Sequence, residues 1–210
     1  MRCAVTSLDL ISEILMTLAS FLVLIATFSA SPTPTVHTVN PDTTCPSRNV
    51  PLEGRKSPLD SVTFSVGGQP VKVCYGRPSS RGRVMLGGEN VPYGKLWRTG
   101  ANEPTIFYAP TTLALAGIKV PEGVYSLYTV PGPREWEVIV NRSISQWGEE
   151  SNYTDKVKAQ EVGRAKVKTE TTATPVETFT IRAEPAGNNA TSLLLEWEKT
   201  RVRIPVQAGK

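Results

Sequence analysis

The sequence predicts an all-β protein: an antiparallel β-sandwich of about nine or ten short strands behind an N-terminal signal or anchor helix. Three observations carry that expectation. Short runs of alternating apolar residues recur from Ser57 onward, the period-two pattern of strands with one buried face. The 210 residues include 17 prolines and 16 glycines, which place turn chemistry between the runs. No long segment repeats every 3.6 residues; Asp155 to Gly163 is the one helix candidate, and it is short.

The chain opens with an apolar run from Ile14 to Ala30, preceded by Arg2, Asp9 and Glu13. It reads as a signal peptide or an uncleaved signal anchor occupying residues 1–30. Either reading puts the remainder outside the cytoplasm, periplasmic or extracellular, with membrane contact only through residues 14–30 if they are retained. Residues 31–56 follow as a linker, punctuated by Pro32, Pro34, Pro41, Pro46 and Pro51 and lacking an apolar period.

The folded domain is expected over residues 57–210. Val62, Phe64 and Val66 alternate, Gly67-Gly68 offers a turn, and Val71, Val73 and Tyr75 continue the period, which predicts a hairpin. Thr105 to Ala109 is extended. Leu113 to Leu115, Ile118 to Val120 and Val124 to Val130 are apolar runs separated by Ala116-Gly117 and Pro121-Glu122-Gly123. Pro131-Gly132-Pro133 then turns the chain toward Trp136, Val138 and Val140, which share a face. After a polar, irregular stretch from Ser143 to Arg164, strands resume around Val176 to Ile181. Beyond a Gly187-Asn188-Asn189 turn, Leu193, Leu195 and Trp197 share a face, as do Val202, Ile204 and Val206.

Composition narrows the chemistry. The formal net charge is +4, too mild to name a partner, and no basic stripe with interleaved aromatics suggests nucleic acid. His37, the single histidine, lies in the linker, so triads, Cys-His dyads and most zinc sites have no imidazole in the domain. Ser79 and Ser80 do not sit in Gly-x-Ser-x-Gly. No metal cluster, phosphate-binding loop or dinucleotide fingerprint is present, and no cofactor is implied. Cys45 and Cys74 remain after export and are a disulfide candidate, the alternative being two independent thiols.

The unusual residues concentrate in two loop-like stretches. One runs from Tyr75 through Arg77, Arg81 and Arg83; the other from Tyr93 through Trp97, Arg98, Asn102 and Glu103. Guanidinium groups bind carboxylate or phosphate bidentately, and loops on a rigid sandwich are a usual place for binding groups. The structural alternative is that these arginines pair with Glu89, Glu103 or Glu122, or stack on Trp97 and Tyr93 to pin loops. Trp136, Trp147 and Trp197 read as core or rim aromatics rather than as a sugar platform.

The string YGRPSSRGR…GGENVPYGKLWRTGANEPT, with GVYSLYTVPG, EWEVIVN and QWG after it, resembles the bacterial family known as domain of unknown function 2911. ETFTI at Glu177 to Ile181 and LEWEKTRVRIPV at Leu195 to Val206 are similar to it as well, so the resemblance covers about Ser57 to Val206. It implies an exported bacterial protein, sometimes attached to other modules, and assigns no activity. At Cys74 the family pattern carries Ser or another small residue, so a bridge to Cys45 would be local to this chain.

Three functions are compatible with these residues. The first is a binding module for a small anionic or carbohydrate ligand or an envelope partner. In it Tyr75, Arg77, Arg81, Arg83 and Arg98 border the site, Tyr93 and Trp97 form apolar walls, and Asn102 and Glu103 orient the ligand. The second is a hydrolase using Glu103 as acid or base, which needs a second carboxylate within reach. The third is a structural interaction module in which the arginines and glutamates form an internal network.

Overall fold

The computed structural model describes residues 44–47 and 50–209; the signal or anchor segment and most of the linker lie outside them. The described chain is all-β. Its strands are β1 (Leu59–Val66), β2 (Gln69–Gly76), β3 (Thr105–Ala109), β4 (Leu113–Leu115), β5 (Ile118–Val120), β6 (Gly123–Val130), β7 (Glu135–Asn141), β8 (Glu161–Pro185) and β9 (Ala190–Ala208). All pair antiparallel in one sheet, in the order β1-β2-β3-β6-β7-β8-β9-β4-β5.

The β1–β2 hairpin closes as the alternation predicts, with Val66 opposite Gln69. Gly67 and Gly68 have φ of 58° and 78°, the doubly positive pair that a two-residue hairpin turn needs and that glycine adopts without strain.

The last two strands depart from the expectation of short strands. β8 has 25 residues and β9 has 19. β8 serves two neighbours in succession: Glu161 to Lys168 pair with β7, and Thr169 to Pro185 pair with β9. Its register shifts between Thr171 and Val176 and again between Val176 and Thr180. Pro175 lies in the first break, where its missing N–H costs no ladder bond. The irregular stretch before β8 holds a 3-10 turn at Glu150–Asn152 and one helical turn, α1 (Asp155–Lys158), shorter than the helix candidate.

Contacts across the bend show the sheet folding over on itself. The Tyr75 hydroxyl on β2 donates to Ile181 O and accepts from Ile181 N–H on β8, at 3.2 and 2.9 Å. The Thr191 hydroxyl of β9 donates to Ser65 O of β1 at 2.9 Å. One continuous core results. It gathers Val71, Val73 and Phe107 from one limb and Phe179, Leu193, Ile204 and Val206 from the other. At its centre Trp97 stacks on Trp197 at 5.7 Å and meets Trp136 and Phe179 edge-on, the arrangements that aromatic quadrupoles favour.

Candidate functional site

The two arginine-bearing segments do not converge on one opening. Several of their residues belong to the framework. Tyr75 and Trp97 are buried; burial raises the Tyr75 hydroxyl above its usual pKa, and the Trp97 indole N–H donates to Gly100 O at 3.0 Å. Trp97 is thus chiefly a core ring, with one edge in the lining of a cleft shared with Val91, Pro92, Lys95 and Glu150. Arg77 lies 3.1 Å from Asp60 and donates to the Thr180 hydroxyl, tying β1 and β2 to β8. Arg98 bridges Glu150 at 3.2 Å and donates to Asn102 O. Neither uses the partners that sequence proximity suggested.

Glu103 is also taken. Its side chain is 4% exposed, and its two oxygens accept from Arg55 Nη1 and Nη2 at 2.9 and 2.8 Å. The Arg55 side chain is 1% exposed and gives a further Nε–H to Pro51 O at 2.8 Å. Fork-to-fork pairing of this kind is the strongest form of the interaction. Asn102, at φ 66°, donates its side-chain amide to Ser57 O at 3.2 Å. The described residues 45–47 and 50–58 thus form a strap lying on the domain. The Cys45–Cys74 disulfide, with Cα atoms 5.6 Å apart, fixes its start, and the Arg77 N–H donating to Pro58 O at 2.8 Å fixes its end.

Beside the strap opens a cleft of about 300 Å³ lined by Lys56, Ser57, Pro78, Ser79, Arg81 and Arg83. Its three cations differ from Arg55, Arg77 and Arg98 in one respect. Among the described residues none of them has a carboxylate within ion-pair distance. Arg81 donates from Nη2 to Lys56 O at 2.8 Å, and Arg83 donates from Nε to Ser80 O and from Nη2 to Ser79 O at 3.0 and 3.3 Å. These bonds aim the guanidinium groups without neutralising them. The Glu177 carboxylate accepts the Arg81 backbone N–H at 2.6 Å. Arg81 has φ 52° and is followed by Gly82 at 74°. A non-glycine residue held there costs about 1–2 kcal/mol, and such strain gathers at functional sites.

Tyr93 faces a different cleft, described below. Sequence reasoning missed Arg55 and Lys56 because they fall in the Pro-rich stretch read as linker, and Ser57 because it stands at the first position of the domain with no motif around it. Their only signal is two adjacent cations next to a serine, where the linker's Pro/Thr composition gives way to the domain.

The matching family model, described as "Protein of unknown function (DUF2911)", covers residues 57–206, and the chain belongs to that family. No curated protein and no solved structure matches the chain. The strap up to Lys56 precedes the matched region, whereas Ser57, Arg81 and Arg83 lie within it.

Proposed function

We propose that this protein is an exported bacterial binding module whose cleft at Lys56, Ser57, Ser79, Arg81 and Arg83 takes a small anion bearing phosphate or carboxylate groups. The observation that carries this reading is the set of three cations left without carboxylate partners around one concavity. Like charges held together repel, and a bound anion relieves that repulsion. The serine hydroxyls and the unused guanidinium N–H groups supply directed donors, and Pro78 gives a rigid wall. Export is supported by the N-terminal apolar run and by a disulfide, which persists in oxidising compartments.

Chemistry beyond binding finds little support. Both Glu103 oxygens are engaged by Arg55, which leaves that carboxylate poorly placed to act as acid or base.

The test is a thermal-shift and titration series with inorganic phosphate, citrate and a sugar phosphate. A ligand at a hundred times its Kd adds about 2.7 kcal/mol, a rise in Tm of roughly 5–10 °C for a domain of this size. The rise should shrink with added salt and vanish in Arg81→Ala/Arg83→Ala. A panel without any shift, or a shift that survives the double variant, refutes the assignment.

A further inference from the structure

A second cleft, of about 400 Å³, is lined by Tyr93, Pro131, Pro133, Arg134, Glu135 and Lys166, with Glu137 beside them. It has a different electrical character. Arg134 and Lys166 balance Glu135 and Glu137, so the lining carries no net charge. Lys166 donates to Glu135 at 2.6 Å, and Glu137 accepts from Arg164 at 2.7 Å. A small anion entering this cleft would meet two carboxylates.

Tyr93 is the distinctive wall. It is 43% exposed, one of three large apolar side chains left exposed among the described residues. The ring is nevertheless braced. Gly87 lies against its Cδ2–Cε2–Cζ side so closely that a Cβ there would come within 2.4 Å of Cε2. The next residue, Gly94, donates its N–H to Pro131 O at 2.8 Å and so ties the loop to the β6–β7 turn. A ring already held in place loses little freedom when a ligand stacks on it.

We propose that this cleft is a second ligand site, for a neutral pyranose unit of a glycan, with Tyr93 as its stacking platform. A pyranose has an apolar C–H face and a rim of hydroxyls. The face suits an exposed aromatic ring with a polar tip. The rim needs donors and acceptors together, as the Glu135–Lys166 pair and Arg134 provide. A proline-rich peptide fits less well, since its docking uses grooves lined by several aromatic rings, and Tyr93 is the one aromatic in this lining. The inference does not depend on the anion cleft.

The experiment is isothermal titration of the full chain with cellohexaose, maltohexaose, chitohexaose and a proline-rich peptide. At least one hexasaccharide should bind. Tyr93→Ala should weaken it about tenfold, Tyr93→Trp should retain it, and Tyr93→Leu, which keeps bulk without the ring, should behave as the alanine variant does. Arg81→Ala/Arg83→Ala should leave sugar binding unchanged. No hexasaccharide binding at millimolar concentration, binding untouched by Tyr93→Ala and Tyr93→Leu, or binding of the peptide alone would each overturn the proposal.

Discussion

Arg55 and Lys56 are adjacent on one strap, yet their charges are used in opposite ways. The Arg55 guanidinium is 1% exposed and divides two nitrogens between the two oxygens of Glu103. Lys56 stands at a cleft with Arg81 and Arg83, and among the described residues no carboxylate lies within ion-pair distance of any of the three. One region spends its charge inside the fold and the other leaves its charge available. The difference separates basic residues that hold the fold from those free to meet a ligand, and residue type alone does not make that separation.

The sharpest way to break the comparison is to strip the buried pair. Glu103→Ala leaves a guanidinium buried without its counter-charge, and the expected loss of stability is about 3–5 kcal/mol. Arg55→Met/Glu103→Leu, which removes both charges and keeps the volume, should recover most of it. Urea unfolding of the two variants measures the difference. A loss below about 1 kcal/mol for Glu103→Ala would place the pair with surface ion pairs and erase the contrast.

The disulfide comes next. It joins residues 29 apart, and opening it should lower stability by roughly 3–4 kcal/mol through the entropy of the freed chain. Cys45→Ser/Cys74→Ser has a second expected effect. The strap also carries Lys56 and Ser57, so phosphate affinity should fall severalfold, while Arg81 and Arg83 keep binding from being abolished. Titration of the double-serine variant with phosphate measures this. Unchanged affinity would show that the Arg55–Glu103 pair and the bonds to Ser57 O and Pro58 O hold the strap in place without the disulfide.

How much of this was legible beforehand depends on the distance over which each feature is decided. The β1–β2 hairpin was readable because alternation and a Gly-Gly turn are local signals, and Trp136 and Trp197 were readable as core because each lies on an apolar strand face. The first half of β8 was not. Lys166, Lys168 and Glu170 cover its outer side, while Ala165 and Val167 mark the inner one and Val162 reaches the core out of their period, too weak an apolar pattern to register. Its length follows from a bend that lets one strand serve two neighbours, a tertiary outcome. The arginines divide in the same way. Their clustering in Gly- and Pro-rich loops was visible, but which of them would be neutralised depended on Asp60 and Glu150, 17 and 52 residues away in sequence. Arg55 had no periodic context at all, and its partner is 48 residues away.

The smallest effect on stability should come from the cleft. Arg81 and Arg83 make their side-chain bonds to backbone oxygens at the surface, where water replaces a lost donor at little cost. Arg81→Ala/Arg83→Ala should therefore stay within about 0.5 kcal/mol of the parent, even as it abolishes the phosphate response. Arg81→Gly probes the point further. The backbone at φ 52° suits glycine better than any side chain, so this variant should be stabilised by up to about 1 kcal/mol, less the entropy glycine costs the unfolded chain. A more stable protein that binds phosphate less well would mean that Arg81 is kept in a strained conformation for its charge. Destabilisation by Arg81→Gly would instead make Arg81 a strut like Arg55, and the two regions would no longer differ in kind.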